Sequence, residues 1–174
     1  MTSSLKKILT EIKSEKEVFQ LNGLSGSSNA LLISLLSLQK VKNKKSKKPI
    51  IIITESFDKA EILLNDLYYF SGQDGIYFFP FWDVLPYDNF SPNKYLVAQR
   101  FRALYALLRG QVRILVTTPN AMMQRILPRN IFQKNIISFK DKSDNSLQIS
   151  QKKLLSSGYT QVDIVEDQGE FSSN

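Results

Sequence analysis

Gly23-Leu-Ser-Gly-Ser-Ser-Asn-Ala30 stands between a strand signal and a helix signal, and that placement decides how the chain is read. Before it, Glu17-Val-Phe-Gln-Leu21 reads as a short strand. After it, Ala30-Leu-Leu-Ile-Ser-Leu-Leu36 reads as the start of a buried helix. Strand, small-residue turn and helix are the setting in which a G-x-x-x-x-G-K-S/T loop cradles nucleotide phosphates. Aligned from Gly23, Ser28 takes the place of the second glycine, Asn29 that of the lysine and Ala30 that of the serine or threonine. The ammonium that meets the β/γ-phosphates and the hydroxyl that holds Mg²⁺ are therefore missing from a degenerate loop. Gly23 and Gly26 keep the freedom to take unusual φ/ψ values, and Ser27 or Ser28 can cap the helix. On these eight residues alone an ordinary strand-to-helix turn is the simpler reading. On either reading the loop is not expected to hydrolyse ATP.

Downstream the same grammar repeats. Pro49-Ile-Ile-Ile-Ile-Thr54 is a β-branched run suited to a strand buried on both faces of a parallel sheet. A helix is expected over 58–70, with Ile62, Leu63, Leu67 and Phe70 on its buried face and Ser71-Gly72 at its end. Gly75-Ile-Tyr-Phe-Phe79 is a second strand. The spacing predicts a further helix over 94–108, with Val97, Phe101, Leu104 and Leu108 as its buried stripe and Gly110 as its stop. Val112-Arg-Ile-Leu-Val-Thr-Thr118 is another strand, after which Pro119 opens a helix over 120–127 that Pro128 ends. Strands alternating with helices predict an α/β fold, a mainly parallel sheet with helices on both faces.

One segment breaks the pattern. Pro80-Phe-Trp-Asp-Val-Leu-Pro-Tyr-Asp-Asn-Phe-Ser-Pro92 holds three prolines and four aromatics in thirteen residues, which makes it a rigid extended connection. Phe81, Trp82, Tyr87 and Phe90 are expected to pack on the sheet end. Tyr87, Asp88 and Asn89 are candidates for contact with another domain. From about residue 129 the signals change, so the domains are read as 1–128 and 129–174. The second holds a strand signal in Asn135-Ile-Ile-Ser-Phe-Lys140 and a polar turn over 141–146. Ser150 then caps a short helix through Leu155 that ends at Gly158, and a hairpin over 161–171 turns near Gly169. This second part is small for a core of its own and ends on an unpartnered strand signal, so the chain reads as truncated.

The composition narrows the chemistry. The 174 residues include no Cys and no His. Disulfides, thiolate or imidazole metal sites, and Ser-His-Asp or Cys-His catalysis are thereby excluded. No apolar run approaches the ~18 residues of a transmembrane helix, and residues 1–13 read as an amphipathic helix rather than a signal peptide, so a cytoplasmic protein is expected. The net charge is +7 with a pI near 9.5. Six lysines lie in Lys40-Val-Lys-Asn-Lys-Lys-Ser-Lys-Lys48, and without them 17 basic residues face 16 acidic ones. That run lacks interleaved aromatics and reads as a solvated helix-to-strand loop, with a nucleic-acid-binding patch as the alternative.

The stretches "GLSGSSNALL", "FPFWDVLPYDNFSPNKYLVAQRFRALYAL", "ILVTTPNAMMQRILP" and "LLSSGYTQVDIVEDQGEF", in this order, resemble the N-terminal region of the bacterial transcription-repair coupling factors (Mfd). The resemblance spans nearly the whole chain. It implies a module like the repair helicase subunit UvrB with its ATP site lost: a helicase-like α/β layer over 1–128, then the start of an inserted α+β domain. It further implies that the inserted domain recruits UvrA and that the module restrains the family's ATP-dependent DNA translocase. On this reading the chain itself has no cofactor and no metal, and it is not an enzyme. ATP and Mg²⁺ belong to translocase domains that these residues do not contain, as do the contacts with RNA polymerase and DNA. The alternative is an active UvrB-like ATP-binding half, which would need a Lys at position 29. By the same resemblance the UvrA-facing positions are Gln161, Phe171, Ser172 and Asn174. Asn174 stands where the family has Arg, and Gln161 and Ser172 are also uncharged. Each charge-assisted hydrogen bond lost this way is worth about 1.5–3 kcal/mol, which predicts weakened UvrA binding.

Overall fold

The computed structural model describes residue 9 and residues 18–42, 48–84, 89–137, 147–167 and 169–173. The chain divides into two compact units, Met1–Gln124 and Arg125–Asn174. The first contains α1 (Ser28–Lys42), β1 (Ile50–Ile53), α2 (Phe57–Ser71), β2 (Ile76–Phe79), α3 (Lys94–Arg109), β3 (Ile114–Thr117) and α4 (Pro119–Met123). Its strands lie in the order β1-β3-β2 and are parallel throughout, with Ile114 opposite both Ile50 and Ile76. Parallel neighbours need crossover connections, and the helices between them provide these.

Alternation along the strands divides the core into two layers. Ile50, Ile52, Ile76, Phe78, Ile114 and Val116 point to one face, where Ala30 and Ile33 of α1 and Ala60, Leu64 and Leu67 of α2 cover them. Tyr77, Phe79 and Leu115 point to the other, under Ala103, Leu104 and Ala106 of α3 and Ala121 of α4. Helices therefore cover both faces of a parallel sheet, as the alternating pattern and the helicase-like reading require. Each fully buried aliphatic side chain, Leu67 and Ile114 among them, contributes about 1.5–3 kcal/mol.

The structure corrects several local expectations. Residues 18–25 form no strand, because the three-stranded sheet offers them no ladder; Val18 and Leu21 are exposed. β1 is not buried on both faces. It is an edge strand whose Ile51 and Ile53 remain 55% and 54% exposed, since α3 and α4 cover only its neighbours. On α2 the buried residues are Ala60, Leu64 and Leu67, with Ile62 exposed. On α3 they are Arg100, Ala103 and Ala106, and Phe101 is turned out. In both helices the small residues mark the approach to the sheet, and the larger apolar residues flank it. Helix α4 ends at Met123, four residues early, because Gln124 leaves the helix in an extended conformation. α1 runs to Lys42, so the lysine run begins on helical backbone; residues 43–47 lie outside the described residues. The expected N-terminal helix also lies outside them except for Leu9, which is helical and buried.

The second unit contains α5 (Arg129–Lys134), α6 (Leu147–Ser156), β4 (Thr160–Gln161) and β5 (Glu170–Phe171). α5 carries no signal that the sequence reading used. Residues 135–137 are not in a strand, and the rest of that expected strand lies outside the described residues. Ser150 sits within α6 rather than capping it. The expected hairpin is also corrected: β4 and β5 run parallel, with Thr160 opposite Glu170 and Gln161 opposite Phe171. The intervening loop turns back on itself because the Glu170 carboxylate accepts the N–H groups of Glu166 (3.0 Å) and Asp167 (2.9 Å). No described side chain of this unit is fully buried.

Candidate functional site

The loop that precedes α1 is built from local hydrogen bonds. The Ser28 hydroxyl and N–H both donate to the Ser25 carbonyl, at 2.7 and 3.2 Å, and the Ser27 carbonyl accepts from Leu31 at 3.1 Å. Gly23 and Gly26 have φ of 81° and 53°, yet a Cβ on either would meet nothing within 4 Å. Their role is conformational, and no atom of the fold closes on them. Asn29 is exposed beside the helix start. Ala30 is wholly buried and packs in the core with Ala60 and Leu64. A hydroxyl on its Cβ would therefore enter the apolar layer.

In open parallel sheets ligands bind beyond the carboxyl ends of the strands. Here those ends are stitched together. Thr54 N–H donates to the Thr117 carbonyl at 2.9 Å, and the buried Thr117 hydroxyl donates to the Phe79 carbonyl at 2.8 Å. Thr118 then caps α4 by accepting from Ala121 N–H at 3.4 Å. Beyond β2 the chain continues as a strap over residues 80–84. Phe81 is held edge-on to Phe57, with centroids 6.5 Å apart.

Arg100 anchors this strap, and the sequence reading missed it. It is 2% exposed on the sheet-facing side of α3. Its guanidinium carbon lies 4.1 Å from the Phe79 ring centroid and 4.6 Å from that of Trp82, in cation–π geometry. Nη1 donates to the Pro80 carbonyl and to Gln124 Oε1, the latter at 3.1 Å. The same Oε1 accepts Trp82 N–H at 2.7 Å, and Gln124 Nε2 reaches the Trp82 carbonyl at 3.5 Å. The Gln124 amide thus serves both polar groups of the Trp82 residue, as a neighbouring strand would. Burial pushes the Arg100 guanidinium below its ordinary pKa, and its Nη2 has no partner. The missed signal was the spacing of Arg100, Ala103 and Ala106. Small residues one turn apart mark close helix–sheet approach, and an Arg in line with them is buried.

Trp82 and Phe81 therefore pack onto the sheet end as expected, whereas Phe90 is exposed. Asn89 is exposed too, and Tyr87 and Asp88 lie outside the described residues. In the second unit the structure brings Gln161, Phe171 and Ser172 together on one small ribbon. Gln161 stands opposite Phe171, and its Nε2 donates to the Ser173 hydroxyl at 3.0 Å. The Ser172 hydroxyl donates to the Asp163 carbonyl at 3.0 Å. Gln161 and Ser172 are exposed, Phe171 is half-buried, and Asn174 lies outside the described residues.

An α/β layer with this strap, followed by a small unit ending in a ribbon, has counterparts among known sequences. The chain is similar to transcription-repair-coupling factors. It is 27% identical to the one from Escherichia coli over 153 residues and 27% identical to the one from Staphylococcus aureus over 171 residues. Against the Haemophilus influenzae factor it is 30% identical over 151 residues. These matches take in 87–95% of the chain but only 12–15% of the factors' own length. The S. aureus match covers 95% of the chain and so includes the loop before α1, the sheet and the strap. No family model matches. As in the composition, nothing here assembles a metal centre: among the described residues no three Asp or Glu are grouped to hold an ion. Nor is any described helix long and apolar enough to cross a membrane.

Proposed function

We propose that this chain is a non-catalytic module of a transcription-repair coupling factor, one that serves the whole protein by recruiting UvrA and by restraining its DNA translocase. The observation that carries this reading is the 27–30% identity to transcription-repair-coupling factors along almost the entire chain. The local chemistry supports the non-catalytic part. Asn29 and Ala30 stand where a phosphate loop needs Lys and Ser/Thr, and the Ala30 methyl packs in the core. No strand leads into the loop to fix it at the sheet end.

Recruitment is assigned to the ribbon of Gln161, Phe171 and Ser172 together with Asn174. These residues offer hydrogen bonds and one aromatic face but no positive charge. The expected UvrA affinity is accordingly low. Calorimetric titration against UvrA tests it, beside a variant carrying Asn174→Arg. Tighter binding by that variant supports the assignment, and no binding by either removes recruitment. Saturable ATP binding that depends on Gly23 or Asn29 would overturn the non-catalytic reading. A steep salt dependence of DNA binding, abolished by neutralising the lysines of residues 40–48, would favour a nucleic-acid role instead.

A further inference from the structure

The node around Arg100 is unusual in its chemistry. A guanidinium carries a full charge at any ordinary pH, and taking it out of water is costly unless every donor is matched. Arg100 is 2% exposed, its Nη2 is buried without a partner, and no ion pair holds it among the described residues. Its compensation comes from two aromatic faces, one carbonyl of the strap and one side-chain amide. Opening the strap would return Nη2 to water and relieve that debt. The bonds lost would be the few that join Arg100, Trp82 and Gln124. The β3 ladder and the layer around Leu67 and Ile114 share none of them.

We propose that Arg100 and Gln124 form a latch on the strap, built to release as a unit while the sheet stays folded. Gln124 is the last residue of the first compact unit. Releasing the strap therefore also frees the point at which the chain leaves that unit. The latch couples two places 42 residues apart in sequence through one amide side chain. The strap is then a movable element of the sheet's carboxyl end, and its closed state depends on a hydrogen-bond set with one donor left over.

The test uses the whole chain. Native-state amide exchange should show Trp82 N–H opening in a sub-global event, well before the amides of Ile114 and Val116 in β3. Trp82 is the only tryptophan, so its emission and acrylamide quenching report the strap directly. Gln124→Leu removes the shared acceptor. It should speed Trp82 exchange by about tenfold, the scale of one hydrogen bond to a charged partner, and raise quenching, with β3 protection unchanged. Arg100→Lys keeps the charge but loses the fork, and should shift the same two readouts in the same direction. Trp82 N–H exchanging only with global unfolding would overturn the latch. So would Gln124→Leu lowering protection in β3 as much as in the strap, which is the behaviour of an ordinary core contact. The wild-type measurement stands even if a variant fails to fold.

Discussion

Gly75 and Gly26 both have positive φ, and the difference between them lies in what surrounds each. At Gly75 (φ 74°) an added Cβ would sit 3.0 Å from Arg113 Cβ and 3.3 Å from the Gln111 carbonyl. The Gly75 carbonyl also accepts from Arg113 and Ile114, so the backbone there has little room to shift. We expect Gly75→Ala to cost roughly 2–4 kcal/mol and Gly26→Ala about 1 kcal/mol, compared by denaturant midpoints at constant slope. Tyr68 sets the alkaline limit. Burial, and after it the neighbouring Tyr95 phenol, raise its pKa above the ordinary 10.0. A phenol whose folded pKa is raised stabilises the fold fully below the unfolded value, and loses that contribution as pH rises through the folded one. Stability should therefore fall above about pH 10, and the fall should be shallower in Tyr68→Phe. At this scale the sequence exposed little. It showed that Asn29 and Ala30 had replaced phosphate-loop residues, but Arg100 reads as one more polar residue on a helix until the sheet beneath it is known.

Elements were legible where hydrophobic period and punctuation agreed. The three strands, the ends of α2 and α3 at Gly72 and Gly110, and the opening of α4 at Pro119 all follow from local chemistry. Helix rotation did not. Ile62 and Phe101 were placed inward because large apolar residues suit a core, whereas the narrow gap above the sheet admits Ala60, Ala103 and Ala106. Leu67→Ala should thus cost about 2–5 kcal/mol, and Ile62→Ala should stay within about 0.5 kcal/mol, both read from equilibrium unfolding. The pairing of β4 with β5 was misread for a different reason. The turn residues near Gly169 suggested a hairpin, but the Glu170 carboxylate gathers the backbone N–H groups of Glu166 and Asp167 and reverses the local course of the chain.

For the molecule as a whole, alternation of strands and helices was enough to indicate a parallel sheet with two helical layers. The number of strands was not accessible, because the ladder partner of a strand is not a local property. The two units should differ in protection. Amides of β3, between two neighbours, should exchange slowest, while those of β4 and β5 should exchange near the rate of local fluctuation, since no described side chain of that unit is fully buried. A uniform exchange profile across both units would contradict this. The free edge of β1 has a consequence of another kind. Its outward N–H and C=O groups have no described ladder partner, and Ile51 and Ile53 stay largely in water. Any strand that takes up those groups in the native state alone stabilises it by mass action. Each tenfold rise in the concentration of such a strand above its dissociation constant adds about 1.4 kcal/mol. The melting temperature of this chain is then a function of its surroundings rather than a constant of its sequence.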